Sequence, residues 1–136
     1  MKLAIVGSRA FTDVEKVVEV VEKYIAQYGE SLVIASGGAK GADAIGKEVA
    51  LRNGIKYIEF PPAHQTHNEY CLLPAEHYGQ PYKVTNFFER NAQIAEYVDH
   101  VAAFVVEGIE CNGTMNTVEK ARSLGRSVFI FTQTGF

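Results

Sequence analysis

Apolar positions along the chain alternate between short unbroken runs and stripes at helical spacing. Lys2 to Val6 is apolar without alternation, the pattern of a strand covered on both faces. Val14, Val17, Val18, Val21 and Ile25 then recur on one helical face, and Gly29 closes that stretch. Just ahead of it, Thr12-Asp13-Val14-Glu15 matches a capping box, with Thr12 as N-cap and Glu15 at N3. Leu32 to Ala35 is a second buried run. Ala42, Ile45 and Val49 mark a second helix, stopped by Asn53-Gly54. Ile55 to Phe60 reads as a third strand, closed by Pro61-Pro62. Asn86 to Tyr97 returns to helical spacing through Phe87 and Ile94. His100 to Val106 is the most apolar strand, and Glu107 to Gly113 is a polar loop. Thr114 to Leu124 reads as a helix ended by Gly125, and Ser127 to Phe131 as the last strand.

Strands and helices therefore alternate, which implies a Rossmann-like three-layer α/β/α sandwich around a parallel sheet. The expected order for five strands is 3-2-1-4-5, with the flavodoxin-like 2-1-3-4-5 as second choice. The segment 61–85 breaks the rhythm. It holds His64, His67 and His77, the further prolines Pro74 and Pro81, and no clear period. It reads as a long excursion with a short helix, of the kind that is functional or mobile. A chain of 136 residues with no repeat or linker fits one domain, 1–136.

Composition adds exclusions. Hydrophobic residues make up 47% and charged residues 21%, as in an ordinary globular protein. The net charge of -3 argues against broad electrostatic binding, so nucleic acid is not expected as a partner. No apolar run reaches membrane-spanning length. Met1-Lys2-Leu3 leads straight into a strand without a signal sequence, and Cys71 and Cys111 lack C-x-x-C spacing. A cytoplasmic location with free thiols is the resulting expectation. His64-x-x-His67-x-x-x-Cys71 matches no standard zinc spacing, so neither a metal nor a cofactor is expected.

The candidate chemistry gathers at strand ends. Ile34 to Asp43 runs from strand through Gly37, Gly38 and Gly41 into a helix, with Lys40 beside the turn. Strand, glycine turn and helix present backbone N–H groups and a positive helix end to an anion. In the 3-2-1-4-5 order, ligands sit beyond the carboxyl ends of the strands, between strands one and four. There Gly7-Ser8-Arg9-Ala10-Phe11, the turn Ser36 to Asp43, the excursion and Glu107 to Thr114 converge. Hydroxyl, backbone N–H and Arg9 together suit a phosphate. Tyr70, Tyr78 and Tyr82 are further candidates for stacking on a base.

Four motifs now stand in order. They are Gly7-Ser8-Arg9-x-Phe11-x-Asp13, Ser36-Gly37-Gly38-Ala39-x-Gly41-Ala42-Asp43, Arg90-Asn91 opening a helix, and Gly113-Thr114 after strand four. In these the chain resembles the SLOG superfamily, which joins the SMF/DprA DNA-processing proteins and the LOG phosphoribohydrolases, and more closely its small YspA-like branch. The resemblance covers essentially the whole chain. It implies a Rossmann-like fold and a site for a nucleotide or nucleotide-derived ligand, such as a nucleoside monophosphate or an ADP-ribose-like molecule. The implied role is a sensor or sequestering module. The site would comprise Gly7, Ser8, Arg9, Phe11, Ser36, Gly37, Gly38, Lys40, Gly41, Asp43, Arg90, Asn91, Gly113 and Thr114. SLOG relatives commonly dimerise, so a homo-oligomer, first a dimer, is expected. Phe87, Phe88 and Phe136 are its candidate apolar surface.

Two departures qualify the likeness. The LOG pattern Pro-Gly-Gly-x-Gly-Thr-x-x-Glu carries a catalytic Glu, and here that position is Thr117. A neutral hydroxyl neither stabilises an oxocarbenium-like centre nor acts as a strong base. Arg90 is retained, and Glu107 and Glu110, on the loop after strand four, stand in as catalytic candidates, since Glu119, two residues beyond Thr117, is turned roughly 200° around the helix. The excursion is the second departure. Alternative readings are therefore a phosphoribohydrolase with a relocated carboxylate, and a single-stranded nucleic-acid-binding module. Whether the chain is an enzyme stays open at this point.

Overall fold

A computed structural model describes residues 1–134. Five parallel strands stand in the order β3-β2-β1-β4-β5. They are β1 (Lys2–Gly7), β2 (Val33–Ser36), β3 (Lys56–Glu59), β4 (His100–Val106) and β5 (Ser127–Gln133). The four α-helices are α1 (Val14–Tyr28), α2 (Ala42–Arg52), α3 (Thr85–Tyr97) and α4 (Asn112–Ser123). This is the expected Rossmann-like α/β fold, with strand order reversing between β1 and β4.

The two-residue period of β1 explains the layering. Leu3 and Ile5 point to one face and pack with Val17, Val21 and Val49 of α1 and α2. Ala4 and Val6 point to the other and pack with Ile94, Val118 and Ala121 of α3 and α4. Both sets are fully or almost fully buried, which is why the strand runs read as unbroken apolar sequence.

Three boundaries differ from the sequence expectation, each for a local reason. The N-cap of α1 is Asp13, whose Oδ1 accepts from the backbone N–H of Lys16 at 3.3 Å. Thr12 is taken instead by Gln133 of β5. Gln133 Oε1 accepts from the N–H groups of Thr12 and Asp13 at 2.8 and 3.0 Å, and its Nε2 donates to Thr12 Oγ1 at 3.0 Å. α4 begins at Asn112 with Cys111 as N-cap, so Thr114 lies inside the first turn and is not the cap. β5 continues to Gln133, where the carbonyl accepts from Glu107 N–H at 2.8 Å.

The excursion after β3 is stitched to the sheet. Glu59 N–H donates to the carbonyl of Tyr70 at 3.0 Å, and within the excursion Gln80 N–H donates to that of Ala63 at 3.0 Å. The Glu59 carboxylate is buried, 5% exposed, and takes up the Tyr57 hydroxyl at 2.8 Å, Asn68 Nδ2, and Lys47 Nζ at 3.2 Å. A buried carboxylate satisfied this fully anchors the segment instead of straining it. The three histidines of the segment pack against aromatic rings, His64 on Tyr82 and Phe87, and His67 and His77 on Tyr78.

Candidate functional site

A cleft of about 410 Å³ opens where β1 and β4 part at their carboxyl ends. The loop Gly7 to Ala10 forms one wall, and the start of α4, Asn112 to Thr114, forms the facing wall. Asp43 and Arg90 line it between them, with Phe87, Ile109 and Glu110 contributing to its lining.

The α4 wall is built to meet an anion. The N–H groups of its first turn have no intrahelical partner, and among the described residues no side chain caps them. Their partial positive charge adds to the helix dipole. Asn91 braces the wall from α3, donating from Nδ2 to the carbonyl of Gly113 at 3.3 Å and to Asn116 Oδ1 at 3.1 Å. Thr117, at the position of the LOG glutamate, also lines the cleft and donates its hydroxyl to Gly113 at 3.3 Å.

Arg90 is held by neutral oxygens. Its Nη1 donates to the carbonyls of Gly37 and Phe60 at 3.1 and 3.4 Å, and its Nε to Asn91 Oδ1 at 3.0 Å. Burial pulls its pKa down, the charge of Asp43 pulls it back up, and Arg9 adds to the lowering. Among the described residues neither Arg9 nor Arg90 forms a salt bridge. Asp43 is buried, 6% exposed, and its pKa is pushed up to about 6 by burial. The charge of Arg90 and backbone N–H groups of Gly37, Ala39 and Gly7 oppose that rise. Its Oδ2 accepts from Gly37 N–H at 3.0 Å. Asp43 thus ties the turn after β2 to the loop after β1.

This changes the role of the glycine turn. Gly37 N–H is committed to Asp43, and Gly38 N–H donates to Ser36 Oγ at 3.1 Å. Ser36 Oγ in turn lies 2.6 Å from the Tyr57 hydroxyl. In the expected cradle the N–H groups of Gly37 and Gly38 are taken up by the protein itself, and only Ala39 and Asp43 of the turn line the cleft. Gly41, at φ +82°, passes so close to the Ser8 carbonyl that a Cβ there would clash with it. The turn is a buttress for the wall Gly7 to Ala10.

Of the expected residues, Gly7, Ser8, Arg9, Asp43, Arg90, Asn91, Gly113 and Thr114 line the cleft together. Ser36, Gly37, Gly38, Lys40 and Gly41 do not: Gly37 and Gly38 bond to Asp43 and Ser36, Gly41 packs on the Ser8 backbone, and Lys40 is exposed outside the cleft. Phe11 is also away from it, buried 5.2 Å from Phe104 in the core. Glu110 lines the cleft, whereas Glu107 is exposed elsewhere. Phe87, a candidate for apolar surface, is half-buried and lines the cleft. Its position three residues before Arg90 on one helix carried that signal, and the Arg90 guanidinium sits 6.0 Å from its ring centre. Phe88 is exposed on α3, and Phe136 lies outside the described residues.

The reversed strand order with a cleft at the reversal defines a Rossmann-like protein whose cleft lies at the sheet's carboxyl edge, where such folds hold ligands. The chain belongs to the SLOG superfamily. A model of the "YspA, cpYpsA-related SLOG family" matches residues 1–67. DNA processing protein DprA of Streptococcus pneumoniae (strain ATCC BAA-255 / R6) is 36% identical over 143 residues, covering 94% of this chain and 49% of that protein. The X-ray structure of DprA from Streptococcus pneumoniae superposes with a TM-score of 0.69 at 29% identity, over 95% of this chain and 49% of that one. DNA processing protein A from Helicobacter pylori, described for its single-stranded DNA binding mode, superposes at 0.70 over 98% of this chain and 66% of that one, and at 22% identity shares the fold. The chain spans about half the length of the Streptococcus relative.

Relatives named for DNA processing and single-stranded DNA binding overturn the expectation of a small-molecule partner with nucleic acid not expected. Net charge was the wrong guide, because it sums the whole surface while a groove acts through its local field. Arg9 and Arg90 line the cleft, and much of the acidic excess lies elsewhere, as at Glu15, Glu19, Glu22 and Glu48.

Proposed function

We propose that the cleft binds single-stranded DNA. A backbone phosphate rests between Arg9, Arg90 and the uncapped start of α4, and the adjacent base stacks on Phe87. The observation that carries this reading is Arg90. It is a largely desolvated cation, oriented by three neutral oxygens, and it forms no salt bridge among the described residues. A phosphate completes such a site through charge-assisted hydrogen bonds. The relatives' association with DNA processing supports the same choice of ligand. The cleft volume of about 410 Å³ suits one nucleotide unit of an unpaired strand and not a duplex.

The test is fluorescence anisotropy of labelled single-stranded oligonucleotides across a salt series, with duplex as competitor. Binding that weakens steeply with salt, ignores duplex and is lost in Arg90→Ala supports the reading. No binding at low salt overturns it.

A further inference from the structure

We propose that the DNA track runs on from the cleft onto a second stacking platform, Tyr82 held on a bracket of His64 and Asn86. The platform takes the unpaired base next to the one on Phe87, and it rests on the reading of the cleft as a single-stranded DNA site. Phe87 links the two surfaces. Its ring centre lies 6.0 Å from the Arg90 guanidinium and 6.3 Å from the ring centre of Tyr82. Neither Tyr82 nor His64 lines the cleft itself. Both lie in the excursion, outside the four motifs. Of the excursion's three tyrosines, Tyr78 is buried and Tyr70 packs on Tyr57, which leaves Tyr82.

Tyr82 is 66% exposed, so it does not serve the core, yet it is held in place. His64 packs edge-on against it at 4.9 Å between ring centres, and against Phe87 at 5.1 Å. Asn86, 6% exposed, directs its amide at this bracket. Its Nδ2 donates to His64 Nδ1 and to the carbonyl of Pro81, each at 3.2 Å. One buried amide therefore pins the first turn of α3, the ring of His64 and the residue before Tyr82. An exposed ring fixed in advance leaves less side-chain freedom to be lost when a ligand binds.

Ring geometry selects the ligand. Tyr82 and Phe87 stand at 71° to each other. A base lying flat on Phe87 meets Tyr82 edge-on, so one base cannot stack on both rings. Two consecutive bases can, each on its own ring, where the strand kinks and unstacks between them. An unpaired strand bends in this way, whereas a duplex resists it. Lys83, next to Tyr82, is exposed and forms no salt bridge among the described residues. It supplies a cation for a phosphate of the same strand. The occupant is a nucleotide strand because the surface continues from the cleft and combines rings with cations, Arg90 and Phe87 followed by Tyr82 and Lys83.

The experiment is an anisotropy titration of a labelled oligothymidylate with wild type, Tyr82→Ala, Tyr82→Phe, Phe87→Ala and Arg90→Ala. Tyr82→Ala, with native circular dichroism, is expected to weaken binding about 5- to 100-fold, the range for one stacked base. Tyr82→Phe keeps the ring and is expected to bind as wild type does. Irradiating the complex with iodouracil in place of thymine is expected to crosslink two tryptic peptides, the one ending in Tyr82-Lys83 and the one holding Phe87. If Phe87→Ala and Arg90→Ala weaken binding while Tyr82→Ala matches wild type, the cleft reading stands and the platform is overturned. Equal losses in Tyr82→Phe and Tyr82→Ala, or crosslinks confined to the Phe87 peptide, overturn the platform as well. If wild type binds no oligothymidylate at low salt, the cleft reading falls and the platform falls with it.

Discussion

Arg90 donates to the carbonyl oxygen of Gly37 at 3.1 Å, joining the first turns of α3 to a turn 53 residues earlier. The bond fixes where the guanidinium points, and it depends on the flat geometry of that group. Arg90→Ala should weaken single-stranded DNA binding about 10- to 100-fold, the range for a charged hydrogen-bonding group. Arg90→Lys should recover little of this, since an ammonium does not span Gly37, Phe60 and Asn91 together. Anisotropy titrations check both, and full recovery by lysine would show that only charge matters.

Arg9 and Phe87 should separate in their salt response. Arg9 is exposed at the cleft wall and acts through charge. Arg9→Ala should reduce the slope of log K against log salt by about 0.7. Phe87→Ala should lower affinity by about 1–3 kcal/mol per stacked base and leave the slope unchanged. Equal effects on the slope would contradict the assigned roles.

Asp43 makes both stability and binding depend on pH. Its pKa moves from 3.8 to about 6, so the folded state holds this proton more tightly than the unfolded chain. The associated stability is fully present below about pH 4 and is lost as pH rises through about 6, on the order of 2–3 kcal/mol. Melting temperatures of wild type and Asp43→Asn, compared from pH 4 to 8, should therefore diverge in favour of wild type at the acid end. DNA binding by wild type should also strengthen as pH falls from 7 to 5, because protonation removes a negative charge from the cleft. A flat difference between the two proteins would refute this assignment.

Glu110 places the remaining carboxylate in the cleft lining, exposed to water. Glu110→Gln should strengthen DNA binding by less than about 1 kcal/mol, and less again at high salt. Weaker binding in this variant would mean that Glu110 contacts the ligand directly.

Gly41 and Gly54 both have positive φ, +82° and +66°, but only Gly41 faces backbone at close range. Gly54→Ala should cost about 1–2 kcal/mol from backbone strain alone. Gly41→Ala should cost more, because the wall Gly7 to Ala10 must also move. It should reduce DNA binding as well, whereas Gly54→Ala should not. Denaturant melts and anisotropy together check the pair.

The sequence by itself determined the fold. Unbroken apolar strands between amphipathic helices specify a buried parallel sheet, and the four motifs fell at strand ends, where such sheets hold ligands. Arg9, Asp43, Gly113 and Thr114 were legible because each follows a strand or opens a helix, whereas Arg90 and Asn91, expected at a helix start, lie inside α3 and were legible through their motif. Only the tertiary structure decided what each one does. Whether the N–H groups of Gly37 and Gly38 are free depends on Asp43 and Ser36 side chains folding back onto them, a contact no spacing encodes. The cap of α1 moved to Asp13 because Gln133, at the other end of the chain, engages Thr12. Thr114 and Thr117 share the same helix, yet their burial in the cleft follows from the approach of α3 through Asn91. Periodicity reports which face of an element is buried; it does not report which polar group, among several within reach, finds its partner there.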